Sequence, residues 1–455
     1  MSKRFGWLLG VVILVSIGVL VACGSSYKAS SDGLVLVGSQ GSGLIETFSF
    51  SLGSGHVSAI GNPPSSTASS TCVLNGLPSS IVVDPAGAYA YAIINASTLC
   101  SGSKTGILAF KLNSDGTTAP AGTPVSFAQG SVMIQGTATE ELVPVVPGAM
   151  VVDPAGKFLF IADRATTDYP LHNPGLYVPG SVSVFAIGNG GGVTEVPGSP
   201  FFTSVPAITL AQSGIDIVGV APTPTVFPPI GLNGVQNAVC SAPGINPPTS
   251  QFLYAVDGLG DQVFQFQVDT SSGVLTPQLG EPPVSTDQTP VGVAVDPCNR
   301  FVYVSNSLTS KISAYTMCNG STTQSATCPA LPQGWLVPVA GSPFSLVGSV
   351  TDLGPLVVDP FGNNVYVLGT TSNTVSSLKI SPVSGSLAPV SPPTVATGLQ
   401  PTSIAIRADD NWLFVTNFNG LPPSVSQYAI TPATGALTVQ QPIPTDNYPW
   451  GVAVK

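Results

Sequence analysis

The chain has 455 residues, of which only 7% are charged, and its 22 acidic against 12 basic side chains leave a formal net charge of -10. That balance argues against a nucleic-acid partner, because phosphate binding calls for a basic stripe that this sequence lacks. The 50 Gly and 44 Pro would on their own suit a disordered chain, but they punctuate regularly spaced apolar strands, which calls for a folded core.

At the amino terminus Lys3 and Arg4 precede an uncharged apolar run from Phe5 to Leu20, the layout of a secretory signal. Leu20–Cys23 (LVAC) follows and resembles the lipobox of bacterial lipoproteins, in which cleavage leaves an acylated cysteine. The expected organisation is a signal peptide over 1–22, a lipidated Cys23 opening a tether over 23–32, and one folded unit over 33–455. An uncleaved membrane anchor is the competing reading, although the stretch is near the minimum length for spanning. Gly24, not an aspartate, follows the cysteine, and by resemblance to enteric sorting this favours the outer membrane. Loss of residues 1–22 removes Lys3 and Arg4 and no acid, so the charge goes from -10 to -12.

From residue 33 onward the chain repeats. Ile81–Gly87 (IVVDPAG), Met150–Gly156 (MVVDPAG), Val293–Pro297 (VAVDP) and Leu356–Gly362 (LVVDPFG) are each followed by a second apolar strand, at Tyr89, Phe158, Phe301 and Val365. Asp, Pro and Gly at the first, second and fourth positions suit a type I turn, so each phrase predicts a hairpin. A further hairpin follows in most units, as in Ser181–Ile187 with Val193–Val196, and Thr374–Ile380 with Leu387. Four antiparallel strands per unit predict the blade of a β-propeller. Units begin near Ile81, Gly148, Val218, Val291, Pro355 and Thr402, and two half-units remain. Gly33–Val37 and Leu44–Phe50 supply outer strands, and Trp450–Val454 matches the innermost strand of the other units. The prediction is an all-β, seven-bladed ring closed by the last strand, which removes exposed sheet edges. In the fourth unit a Pro-rich insertion over 223–249 separates Val218–Pro222 from Phe252–Tyr254, and the last unit has Arg407 and Ala408 where Asp-Pro would stand.

Lipidation of Cys23 leaves Cys72, Cys100, Cys240, Cys298, Cys318 and Cys328, an even set in an exported chain, for which disulfides are expected. Topology puts Cys72 and Cys100 on one face of the second blade and pairs them. Cys240 with Cys298, and Cys318 with Cys328, are the further pairings, although these four share a face and exchange is open. Their spacing does not suit a metal site, and neither a metal nor a cofactor is expected.

The blades resemble those of the lactonase-type seven-bladed propellers, similar to bacterial 6-phosphogluconolactonase and to YVTN-repeat surface proteins. The resemblance rests on Tyr303–Asn306 (YVSN), Phe414–Asn417 (FVTN), the Asp-Pro-x-Gly turns, and the segments Pro197–Phe201 (PGSPF) and Ala340–Phe344 (AGSPF). It spans residues 33–455 and implies the fold; many activities share the architecture.

Ligands of propellers commonly sit at the mouth formed by loops entering the inner strands and leaving the second strands. Candidate catalytic groups there are Glu140, with Glu141 beside it, before the third blade, Asp163, Arg164 and His172 after its second strand, and Asp257 with Asp261 in the fourth. Lactone hydrolysis needs a group that activates water and a donor for the oxyanion. Arg164 is the lone cation of the set, which argues against a phosphorylated substrate. Tyr169, His172, Tyr177, Tyr448 and Trp450 are the candidate binding contacts, on loops including 164–180 and 223–249. The aspartates of the turns, Asp84, Asp153, Asp296 and Asp359, are read as structural acceptors on the opposite face, and Asn306 and Asn417 as strand caps. The expected function is a lipid-tethered binding or scaffold module for a small molecule or protein; the alternative is a lactone hydrolase acting on a non-phosphorylated lactone.

Overall fold

The computed structural model describes residues 33–51, 53–60, 76–96, 105–127, 130–133, 140–143, 146–164, 180–202, 217–222, 250–278, 283–319, 328 and 331–455. Seven antiparallel sheets, each a meander of four strands, form seven blades. The innermost strands are Pro449–Val454, Leu77–Val83, Val146–Val152, Ile217–Pro222, Pro290–Val295, Leu353–Val358 and Pro401–Ile406. Each packs against the inner strands of both neighbours, so they circle one axis. Blade 1 is built from both ends of the sequence: Pro449–Val454 pairs with Gly33–Ser39, placing Val454 opposite Val35 and Val452 opposite Val37.

Second strands are buried along nearly their whole length, as in Phe301–Asn306 and Trp412–Asn417. A blade lies between two others, so both faces of its middle strands leave water, and continuous apolar runs replace the alternation of a one-sided sheet. The apolar residues accordingly form clusters shared by two neighbouring blades. Leu36, Ile45, Ala90 and Phe110 join blades 1 and 2, and Val35, Phe50, Trp412 and Phe414 join blades 7 and 1.

The turns behave as their sequence predicts. Gly87, Gly156 and Gly362 donate their N–H to the carbonyls of Asp84, Asp153 and Asp359. The aspartate side chains accept backbone N–H groups of the same turns, Asp84 from Ala88 and Tyr89 and Asp359 from Phe361 and Asn363. Asp296 instead forms a buried, two-pronged pair with Arg300, whose guanidinium also reaches Pro382 and Gly362 carbonyls of the next blade. In blade 7 Arg407 occupies the aspartate position and still closes the turn, accepting from Asp410 N–H at 3.0 Å.

Two features lie outside the predicted pattern. A separate two-stranded ladder pairs Gly130–Met133 with Glu140–Val143, so Glu140 and Glu141 begin a strand where a loop was expected. The Gly-Ser-Pro-Phe segments add short fifth strands: Phe201–Phe202 and Phe344–Ser345 pair with the third strands of blades 3 and 5. Their serines fill the gap left by the outer strand, Ser199 Oγ accepting from Val184 N–H at 3.0 Å and Ser342 Oγ from Ala314 N–H at 2.9 Å.

Cys318 and Cys328 are disulfide-bonded, with 5.5 Å between their Cα atoms, and pack with Trp335 in a small cluster beside blade 5. Cys298 is also disulfide-bonded; its partner lies outside the described residues, as do Cys23, Cys72, Cys100, Cys240 and the predicted signal, tether and 223–249 insertion.

Candidate functional site

At the mouth face the second strands end in polar residues that are buried and tied down. Asn306 Nδ2 donates to Lys311 O and Ser313 Oγ, both at 3.0 Å. Asn417 Nδ2 donates to Ser424 O and Ser426 Oγ, while its Oδ1 accepts from Gly398 N–H. Both are strand caps. Asp163 and Asp257 stand at the same level of blades 3 and 4 and are likewise buried, at 1% and 0% exposure. Asp257 accepts from Leu259 N–H and Gln262 Nε2 at 3.1 Å. Asp163 accepts from Ser181 Oγ at 2.9 Å and Ser183 Oγ at 2.7 Å through one oxygen, while Oδ1 has no hydrogen-bond partner. Burial therefore outweighs the two serine hydroxyls and pushes its carboxyl up to about 7.

Asp163 and Asp257 turn into their own blades, whereas Arg164 is exposed. The Glu140 side chain, His172, Tyr169 and Tyr177 lie outside the described residues. The sequence placed Asp163 and Asp257 in loops leaving the second strands; the structure has them inside the strand ends, and burial there depends on pairing with distant residues.

The described mouth opens instead on the far side of the ring. A cleft of about 590 Å³ is lined by Thr370, Thr371, Asn373, Leu399, Gln400, Thr402, Phe418, Asn419 and Trp450. Those residues come from the loop leaving the second strand of blade 6, both mouth loops of blade 7 and the start of the closing strand. Trp450 meets the Phe418 ring edge-on at 5.1 Å, and Tyr448 packs on the other part of Phe418 at 5.2 Å. Tyr448 and Trp450 remain 48% and 36% exposed. The Trp450 carbonyl accepts from Thr402 Oγ1 at 2.9 Å and Thr416 Oγ1 at 3.0 Å, which fixes the backbone carrying the indole. Gln400 N–H donates to Asn373 Oδ1 at 2.7 Å, and Asn419 Nδ2 donates to Gln400 Oε1. The amides are therefore held before any ligand arrives.

None of the nine lining side chains ionises near neutrality. The adjacent carboxylate, Asp352, is occupied by Thr371 Oγ1. Tyr448 and Trp450, both candidates from sequence, are brought together here. Phe418, Gln400 and Asn419 were missed, and the available signal was an aromatic residue directly after the strand-ending Asn417. Among the described residues no three Cys, His, Asp or Glu side chains gather as a metal-binding group.

Residues 245–451 match the family model described as Lactonase, 7-bladed beta-propeller. The chain folds as a seven-bladed propeller, and somewhat under half of it matches that family model. A candidate 6-phosphogluconolactonase from Bacteroides uniformis superposes with a TM-score of 0.62 at 16% identity, covering 93% of this chain and 99% of that one. The periplasmic gluconolactonase of Pseudomonas aeruginosa gives 0.60 at 17% identity, covering 93% and 98%. A Lactobacillus plantarum protein gives 0.59 at 15%, covering 93% and 99%. At these identities the likeness is one of fold. No curated protein sequence matches significantly. Within the propeller architecture, the cleft of blades 6, 7 and 1 joins exposed aromatic rings to fixed amides and threonine hydroxyls at the mouth.

Proposed function

We propose that this protein is an exported, lipid-tethered binding propeller whose mouth cleft takes a neutral, polyhydroxylated ligand of the glycan class. The observation that carries this reading is the lining: an exposed aromatic platform beside fixed amides and threonine hydroxyls, with no ionisable side chain. Aromatic faces pack on the C–H faces of a sugar ring, while amides and hydroxyls exchange hydrogen bonds with its hydroxyl groups. The volume falls within the usual range for small-ligand sites. No arginine or lysine lines the cleft, so a phosphorylated ligand would find no charged partner there. The disulfides support an oxidising compartment, as the lipobox-like Leu20–Cys23 would require.

Hydrolysis of an uncharged lactone is the second reading. It is favoured by the gluconolactonase names of the structural neighbours and by Asp163, whose proton affinity near neutrality suits a general base. Its burial disfavours it.

Titration calorimetry of the chain from Gly24 onward against neutral oligosaccharides distinguishes the two. Binding that weakens at least about tenfold in Trp450→Ala and Phe418→Ala, as loss of a central aromatic contact does, and is unchanged in Leu308→Ala, supports the glycan reading. Absence of binding together with lactone turnover that disappears in Asp163→Asn replaces it with the hydrolase.

A further inference from the structure

Six of the seven blade junctions share one packing device, and the junction of blades 6 and 7 departs from it. A side chain at the start of each second strand, from its first or second residue, sits on a positive-φ glycine in the outer hairpin turn of the next blade. A Cβ on Gly191, Gly273, Gly334, Gly385 or Gly55 would fall within 2.6 Å of the ring of Tyr89, Phe158, Phe252, Phe301 or Trp412. At Gly116 the part is shared by Ile60, 2.1 Å from such a Cβ, and Leu34, at 2.9 Å. At the remaining junction the occupant is an amide: a Cβ on Gly435 would lie 2.3 Å from Asn364 Oδ1.

A second departure lies directly beneath. The turn between the first two strands of a blade packs on the same turn of the preceding blade, and a Cβ on Gly362 would lie 2.2 Å from Asp296 Oδ1 and 2.7 Å from Arg300 Nη2. In the blade 7 turn Asp410 holds the place of Gly362, with φ of 57° against 68°. Its carboxylate is therefore brought within electrostatic reach of Asp359 of blade 6. Where Asp296 is neutralised by Arg300, Asp359 has Asn363 and Asn364 at the corresponding positions.

The result is an excess of buried acceptors. Asp359, Asn364 and Asp410 are all 0% exposed. Asn364 Nδ2 donates to Asp359 at 2.6 Å, but Asn364 Oδ1 and both oxygens of Asp410 have no hydrogen-bond partner. Of the neighbouring groups, the Tyr366 phenol is spent on Gly435 O, and Asp409 is paired with Arg407 and repels Asp410. Lys379 lends its charge to both carboxylates from beyond ion-pair distance. Asn364 Oδ1 and the Asp410 carboxylate therefore stay buried acceptors without donors. Such groups are rarely left unsatisfied in a native interior.

We propose that Asp359, Asp410 and Asn364 Oδ1 form a buried binding site for one hard divalent cation, calcium, that locks blade 6 to blade 7. Two carboxylates and an amide carbonyl are oxygen ligands of the kind calcium takes, and its charge balances the pair. The site lies on the face opposite the mouth cleft and does not depend on the proposed ligand.

The test compares wild type with Asp410→Gly, which installs the residue that blades 2, 3 and 6 carry at this position and so preserves the turn. Calorimetry on chelator-treated wild type should show one calcium bound per chain, and its melting temperature should rise by several degrees in 1 mM calcium. Asp410→Gly should lose both responses while melting higher than wild type in chelator, where the carboxylate repulsion is unrelieved. Wild type that binds no calcium, or Asp410→Gly that binds it with unchanged affinity, overturns the proposal.

Discussion

Asp163 shows how much of a residue's character is set by partners far away in sequence. Asn306 and Asn417 at the same strand level donate to neighbouring carbonyls and hydroxyls, whereas Asp163 receives the hydroxyls of Ser181 and Ser183. Its folded value near 7 lies above the ordinary carboxyl value of about 4. The folded state then binds the proton more tightly than the unfolded chain does. Its contribution to stability is complete below about pH 4 and is lost as pH rises through 7, at up to about 1.4 kcal/mol per pH unit for one proton. Asp163→Asn copies the amide of blades 5 and 7 and should reduce that decline. Urea unfolding at intervals from pH 5 to 8 measures it, and equal slopes for the two proteins would show that the proton is not held. The sequence placed Asp163 near the end of a second strand, and the strand Phe158–Arg164 carries it there. Its burial was not legible in sequence, because the two serines enter only through the register of the third strand.

At the scale of elements, legibility followed repetition. The Asp-Pro turns, the paired strands and the closing strand were readable because each recurs with the same apolar spacing. The ladder of Gly130–Met133 with Glu140–Val143 was not, since four-residue strands that occur once offer no period to detect. The fifth strands at Phe201 and Phe344 were present as a Gly-Ser-Pro-Phe phrase, yet their role depends on serine reaching the third strand of the blade. The Cys318–Cys328 bond occupies an intermediate place: cysteine parity suggested it, but the choice among four cysteines on one face required coordinates. It spans 10 residues of sequence, and restraining a loop of that size in the unfolded chain is worth roughly 2–3 kcal/mol. A Cys318→Ala, Cys328→Ala double variant should lose about that much in a denaturant titration. A loss under about 1 kcal/mol would show that the Trp335 cluster alone holds the loop.

At the scale of the molecule, stability rests on closure. Each apolar cluster between blades has two owners, so no blade can complete its core alone, and the blade that completes the ring is the one whose chain is interrupted. Val452 and Ala453 of the last strand belong to the clusters on either side of blade 1. Leu34 and Lys455 exchange backbone hydrogen bonds of 3.3 and 2.9 Å where the other blades have a covalent turn. A chain ending at Tyr448 loses these contacts and exposes Val35–Val37 as an unpaired edge, which invites association between molecules. The loss should reach roughly 5 kcal/mol or more, comparable with the whole net stability of a typical domain. Size-exclusion chromatography with denaturant unfolding reads both effects, and the expected result is oligomer or aggregate with a broad, early transition. A monomer with the midpoint of the full chain would mean that six complete blades hold the ring without its clasp. The mouth cleft, which takes Trp450 from that same strand, would be lost in either case, tying the proposed glycan binding to closure of the fold.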